Sequence, residues 1–302
     1  MSLLAPNHPL TLACYFADAD GVYGSHLDAV KPFVSAAYVW SQRGYQKGLP
    51  DGSREKAPIW LPRMVASCQA VVDAGLPIHL SLDGHPPYLF LGRGHALGST
   101  LERGQIKRFC QPPYPPFLRV ELTDELHADG TLSMDAVSYK SYRNVVRQLF
   151  RGQGLPMPTQ GFGTTFSQEQ WDDPHFSDYA KTCDWLGAEC YVTAPPPGSP
   201  AQHDVAAAVA KVQATTQHQL KIAEKLGKPV VLCMQSYTRS FRWTDPATVA
   251  AMQAPVYEIA ATNKRVIGLT SFAWGRPDGC SAHSEIAAAV REVGLAVKGG
   301  TA

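Results

Sequence analysis

Eight times along this 302-residue chain, a short apolar run ends in a turn signal, and most of these runs lead into a longer helical pattern. The strand candidates are 10–17, 36–40, 77–82, 115–122, 157–164, 184–192, 229–235 and 266–274. They read as nearly continuous apolar segments, as a strand covered on both faces requires. Between them, 58–74, 138–151, 203–226 and 284–297 place apolar residues on one helical face, and a further helix is expected near 95–109. Gly75 and Gly227 stand where helices commonly end, and Asp245-Pro246 opens another helix with a capping residue and a proline at its first position. Such alternation builds a parallel sheet. Eight units in a chain of this length point to one (β/α)8 barrel spanning 1–302, a fold that typically takes about 250 residues.

The competing arrangement, an open doubly wound sheet, usually carries a glycine-rich phosphate loop after its first strand. Here that strand runs into Phe16-Ala17-Asp18-Ala19-Asp20-Gly21, which is no such loop. Gly92-Arg93-Gly94 and Gly161-Phe162-Gly163 lack a third glycine, and no Walker motif occurs.

Composition narrows the partners. Apolar residues make up 45% of the chain and charged ones 18%, which excludes a disordered protein. The formal charge is +1 and no run of Lys or Arg exceeds two, so no nucleic-acid partner is expected. No apolar run approaches ~18 residues, so no membrane partner is expected either. The first fifteen residues hold no Lys or Arg and are interrupted by Pro6 and Pro9, unlike a signal peptide, which makes a cytoplasmic location the default expectation. The cysteines at 14, 68, 110, 183, 190, 233 and 280 follow no zinc spacing and several lie in strand-like runs, as buried free thiols do. His85 and His203 belong to no His-x-His or Glu-x-x-His pattern, and neither a metal nor another cofactor is expected. The oligomeric state is not encoded in any recognisable pattern.

In a barrel of this kind, inward side chains near the strand C-termini form the site. Strand alternation then offers His79, Ser81 and Asp83 on strand three, and Arg119, Glu121 and Thr123 on strand four. Strand six offers Glu189 and Tyr191, strand seven Cys233, Gln235 and Tyr237, and strand eight Phe272 and Trp274. Charge inside a barrel is costly unless paired or functional. Glu121 is the sharpest case, set in Phe117-Leu118-Arg119-Val120-Glu121-Leu122, and Glu189 has similar surroundings. The plainer alternatives are an Arg119–Glu121 ion pair and, for Asp83, a simple turn role before Gly84. Trp40, Tyr38, Tyr191, Tyr237, Trp243 and Trp274 fall in or just past strand ends, and flat rings beside carboxylates and amides suit a sugar.

On Glu121 and on Thr270-Ser271-Phe272-Ala273-Trp274-Gly275, the chain resembles the β/α-barrel glycoside hydrolases. The resemblance implies that Glu121 is the general acid/base, and it calls for a nucleophilic glutamate at the end of strand seven. This sequence departs there, because Val230-Val231-Leu232-Cys233-Met234-Gln235 ends in an amide that cannot act as a nucleophile. Glu189 or Asp83 would supply the second carboxylate, either in a retaining or an inverting scheme, or the barrel binds sugar without cleaving it. The expectation is a hydrolase of a poly- or oligosaccharide with Glu121, Glu189 and Asp83 as catalytic carboxylates. Arg119 and Gln235 would hydrogen-bond sugar hydroxyls or orient Glu121, and Tyr191, Tyr237, Trp274 and Trp40 would bind the ring. A lyase or isomerase acting on a sugar-like metabolite is the remaining alternative, and would place a phosphate near Arg239, Arg242 and Arg276.

Overall fold

The protein is described by a computed structural model covering residues 3–16, 24–40, 60–81, 117–124, 135–152, 157–239, 242–275 and 278–299. Its eight strands are β1 (Leu12–Phe16), β2 (Ala36–Trp40), β3 (Ile78–Ser81), β4 (Arg119–Asp124), β5 (Phe162–Phe166), β6 (Trp185–Glu189), β7 (Val230–Gln235) and β8 (Val266–Trp274). They pair in sequence order, every neighbour parallel, and β8 returns to β1 to close the barrel. This is the (β/α)8 architecture expected from the alternation.

The helices among the described residues are α1 (Gly24–Val30), α2 (Trp60–Asp73), α3 (Ala136–Gly152), α4 (Phe176–Ala180), α5 (Val205–Lys225), α6 (Pro246–Ala251), α7 (Gln253–Thr262) and α8 (Ser284–Val297). Asp245 caps α6 as its sequence predicts, accepting from the Thr248 amide at 2.9 Å. The helix expected from 203 begins later. A 3-10 turn over Pro200–His203 comes first, and Asp204 then caps α5 by accepting from Ala207 N at 3.0 Å. Neither α1 nor α4 was foreseen, since seven and five residues are too few to show a helical period. The helix expected near 95–109 lies outside the described residues.

Outward-facing strand residues such as Val120, Leu122, Leu186, Leu232 and Leu269 pack in one apolar cluster with Val146, Val212, Val256 and Val290 from the helices. The inward faces form a separate interior that includes Ala13, Tyr15, Ala36, Tyr38 and Ala273. Asp184, just ahead of β6, ties two layers together. It accepts from the Phe162 amide at 2.9 Å and from the Arg143 guanidinium of α3 at 2.5 Å.

Strand β5 starts at Phe162 rather than at 157, because Gly161 takes a left-handed φ of 80° and its amide closes a turn on Pro158 O at 3.0 Å. The glycine that weakens the strand signal at 163 has a packing cause. A Cβ there would fall on the ring of Trp185, its register partner on β6, which is fully buried and meets His79 edge-on at 5.5 Å. Gly163→Ala should therefore destabilise the protein by about 1–3 kcal/mol, the usual cost of overpacking, in urea unfolding monitored by circular dichroism. Unchanged stability would show that Trp185 does not depend on that space.

Candidate active site

Glu121 projects from β4 into the barrel between side chains of two other strands. The Tyr38 hydroxyl of β2 meets one of its carboxyl oxygens, and the Thr165 hydroxyl of β5 meets the other. The space for Thr165 comes from Gly187 on β6, where a Cβ would fall on that hydroxyl. Glu121 is fully buried. Burial pushes its pKa up to about 8, although the Thr165 hydroxyl and amide pull in the opposite direction. At neutral pH the group therefore holds its proton, while two hydroxyls stand ready to stabilise the carboxylate left when that proton departs.

A belt of rings continues from this carboxyl around the interior. Tyr38 lies 4.3 Å from His79 and 5.1 Å from Tyr15 between ring centroids. Tyr15 lies 4.5 Å from Phe272, and Phe272 meets Tyr237 edge-on at 5.4 Å. Tyr237 in turn meets Tyr191 edge-on at 5.4 Å. The Tyr191 hydroxyl is 3.0 Å from Cys233 Sγ.

Glu189 closes β6 and is buried, its backbone carbonyl accepting from Gln219 Nε2 of α5 at 3.0 Å. Its carboxylate acts on both phenols next to it. Burial, and after it the Glu189 charge, push the Tyr237 phenol up; for Tyr191 the causes are burial, then Cys233, then Glu189. Gln235 ends β7 with its amide nitrogen fully committed, donating to Tyr237 O at 3.0 Å and to Trp243 O at 3.1 Å. Its backbone carbonyl accepts from Gln253 Nε2 at 2.6 Å. That fixes the amide, and its buried oxygen has no protein donor among the described residues.

The interior thus brings together Glu121, Glu189, Tyr191, Gln235 and Tyr237 on the C-terminal portions of β4, β6 and β7 or just past them. It does not bring Arg119 with them. The Arg119 guanidinium ends beside Thr11 and Gly268, toward the opposite end of β1 and β8, because inward alternation fixes a side chain's face but not its height. No Arg119–Glu121 ion pair forms. Trp274 packs its ring 5.8 Å from Phe33 in the outer apolar cluster, and Phe272 occupies the inward place on β8. Trp40 ends β2, but its side chain, like Asp83, His85 and Arg276, lies outside the described residues. Arg239 pairs with Asp278 at 2.7 Å, and Arg242 lies over the Tyr191 ring at 5.7 Å, so both serve the barrel mouth as partners of a carboxylate and a ring.

Sequence reasoning missed Thr165 and Tyr15. Thr165 fell just past the expected end of its strand, and the clue was Gly187, a glycine in an apolar strand that is its register partner on β6. Of the cysteines, 14, 68, 183, 190, 233 and 280 are free thiols, all buried except the partly exposed Cys233. Among the described residues, no group of three or more His, Cys, Asp and Glu is arranged to hold a metal ion, and no helix is long and apolar enough to cross a membrane.

No protein-family model and no curated protein matches the sequence. Solved structures do match the fold. A GH5_18 protein from Streptomyces cattleya in complex with GlcNAc aligns with a TM-score of 0.56 at 14% identity, over 99% of this chain and 80% of its own. A modular endo-β-1,4-mannanase of glycoside hydrolase family 26 from Cellulomonas fimi aligns with a TM-score of 0.56 at 12% identity, over 93% of this chain and 70% of its own. A GH128 endo-β-1,3-glucanase variant from Amycolatopsis mediterranei, in complex with laminaripentaose, gives 0.54 at 13% identity, over 93% and 98%. The chain thus shares its barrel architecture with glycoside hydrolases, as the sequence resemblance implied.

The Glu121 environment makes a pH prediction for stability. Its folded pKa is raised, so the unfolded chain loses this proton first as pH rises from the ordinary carboxylate range toward 8, and folding is progressively disfavoured across that window. Glu121→Gln should remove this contribution. The stability difference between variant and wild type should grow in the variant's favour from pH 5 to pH 8 in parallel urea titrations. A difference independent of pH would contradict a raised pKa.

Proposed function

We propose that the barrel hydrolyses a glycosidic bond in a poly- or oligosaccharide, with Glu121 as the general acid and Glu189 as the second carboxylate. One observation carries this reading: a fully buried carboxyl that keeps its proton to about pH 8, with a hydroxyl from a different strand at each oxygen. An acid of this kind protonates the departing glycosidic oxygen, and Tyr38 and Thr165 then stabilise the carboxylate it becomes. Glu189 faces the same aromatic interior with one strand between. By register Glu121 stands level with Gly163 and Gly163 with Trp185, so Glu189 lies two strands over and four residues nearer the C-terminal mouth of the barrel. The buried Gln235 oxygen would accept from a sugar hydroxyl, and Tyr191 and Tyr237 would face the ring. The structural neighbours, bound to GlcNAc or laminaripentaose or named for mannan and β-1,3-glucan hydrolysis, support a carbohydrate as the class of substrate. Asp83 stays a candidate carboxylate on sequence grounds alone.

The amide at the end of β7 favours a second reading, a barrel that binds glycans without cleaving them. The two are separated by assaying reducing ends released from β-1,3-glucan, β-1,4-mannan and N-acetylglucosamine oligomers. Hydrolysis should be seen with at least one, and Glu121→Gln should lower it by about 10²–10⁴-fold without loss of folding. The wild-type rate should also fall as pH rises through about 8, where Glu121 gives up its proton. Binding with no hydrolysis, or hydrolysis untouched by Glu121→Gln, would rule out the catalytic reading.

A further inference from the structure

Below Glu121, the barrel interior holds a positive charge with no opposing one among the described residues. Arg119 is fully buried on β4, directly beside His79 of β3, its register partner, which is also fully buried. Among the described residues, only Nη2 of the guanidinium has a protein partner, Thr11 Oγ1 at 2.5 Å. That hydroxyl is itself committed, donating to Ile267 O at 3.2 Å. Arg119 Nε and Nη1 and both ring nitrogens of His79 have no protein hydrogen-bond partner among the described residues.

Glu121 is taken up by Tyr38 and Thr165, and the Trp185 indole N–H, which also borders His79, points to Gly161 O at 3.3 Å. Burial, and after it the Arg119 charge, hold the His79 pKa well below its ordinary value, so the imidazole is neutral and offers one donor and one acceptor. Arg119 Nε and Nη1 add N–H donors and no acceptor. The cluster is therefore rich in donors and carries a net positive charge. Water is a poor answer to such an imbalance, since each molecule brings as many donors as acceptors. A buried, unmatched guanidinium is costly, and an anion beside it offsets that cost directly. Space for the guanidinium is provided by Gly268 on β8, where a Cβ would fall on its nitrogens.

We propose that the barrel floor is an anion site, in which Arg119 Nε and Nη1 and the His79 N–H bind a monatomic halide, chloride in ordinary salt. The site is closed to large anions because rings cover it, Tyr38 on one side of His79 and Trp185 on another. It lies apart from the proposed hydrolytic site, since the Arg119 guanidinium ends beside Thr11 and Gly268, toward the opposite end of the barrel.

Bromide provides the probe. Crystals of the wild-type protein grown in sodium bromide should show an anomalous peak in contact with Arg119 and His79. The melting temperature at constant ionic strength should rise as gluconate is replaced by bromide or chloride, by roughly 4 °C once the halide exceeds its Kd a hundredfold. Arg119→Met, which removes the charge while keeping apolar volume, should abolish both the peak and the halide dependence. An ordinary water at that place with no anomalous signal would overturn the proposal, as would a halide dependence that survives in Arg119→Met.

Discussion

A carboxyl group enclosed in a parallel barrel must either give up its charge or be surrounded by donors, and Glu121 is under both pressures at once. Burial drives it toward the neutral acid, while Thr165 and Tyr38 hold hydroxyls against its two oxygens. The arrangement draws on β2, β4, β5 and β6 together, because Thr165 fits only where Gly187 has no side chain. Closing the barrel is what brings these strands' inward faces to one carboxyl. An open sheet would leave the Glu121 side chain against a helix layer or solvent, with no second strand across from it.

The interior separates its charges by height. The acid lies above, against Tyr38 and Thr165, and the guanidinium of Arg119 lies below, against Gly268 and Thr11. Two residues apart on the same face of one strand, they do not pair. Glu121 is thereby spared the cation that would lower its pKa and make it a weaker proton donor. The aromatic belt adds a further constraint. Its edge-on contacts from Tyr191 through Tyr237 to Phe272 fix the wall that Glu189 and Gln235 share.

The alternation of strands and helices was legible in the sequence because each strand is buried on both faces and so reads as an apolar run. β2 and β8 fall at their expected bounds. The ends of β5 were less legible, since the glycines there answer to Trp185 on another strand and to a turn at Gly161, and neither is a local propensity. Glu121 stood out for a physical reason, a carboxylate where an aliphatic side chain would be cheaper. Arg119 stood out on the same grounds but belongs to the floor, because alternation along a strand says which way a side chain faces and nothing of its level. Trp274 was expected inward. The β1–β8 register shifts near it, and the ring at that strand end packs outward on Phe33 while Phe272 turns in. Thr165 became visible only with the barrel closed, for its importance lies in a contact between side chains 44 positions apart.

The protonation of Glu121 can be observed directly. Difference infrared spectroscopy of wild type against Glu121→Gln, with carbon-13-labelled glutamate, resolves the carbonyl stretch of a protonated Glu121 side chain. The band should be present at pH 7 and titrate away with a midpoint near 8. A carboxyl already ionised at pH 6 would contradict the assignment of Glu121 as an acid held neutral by the barrel.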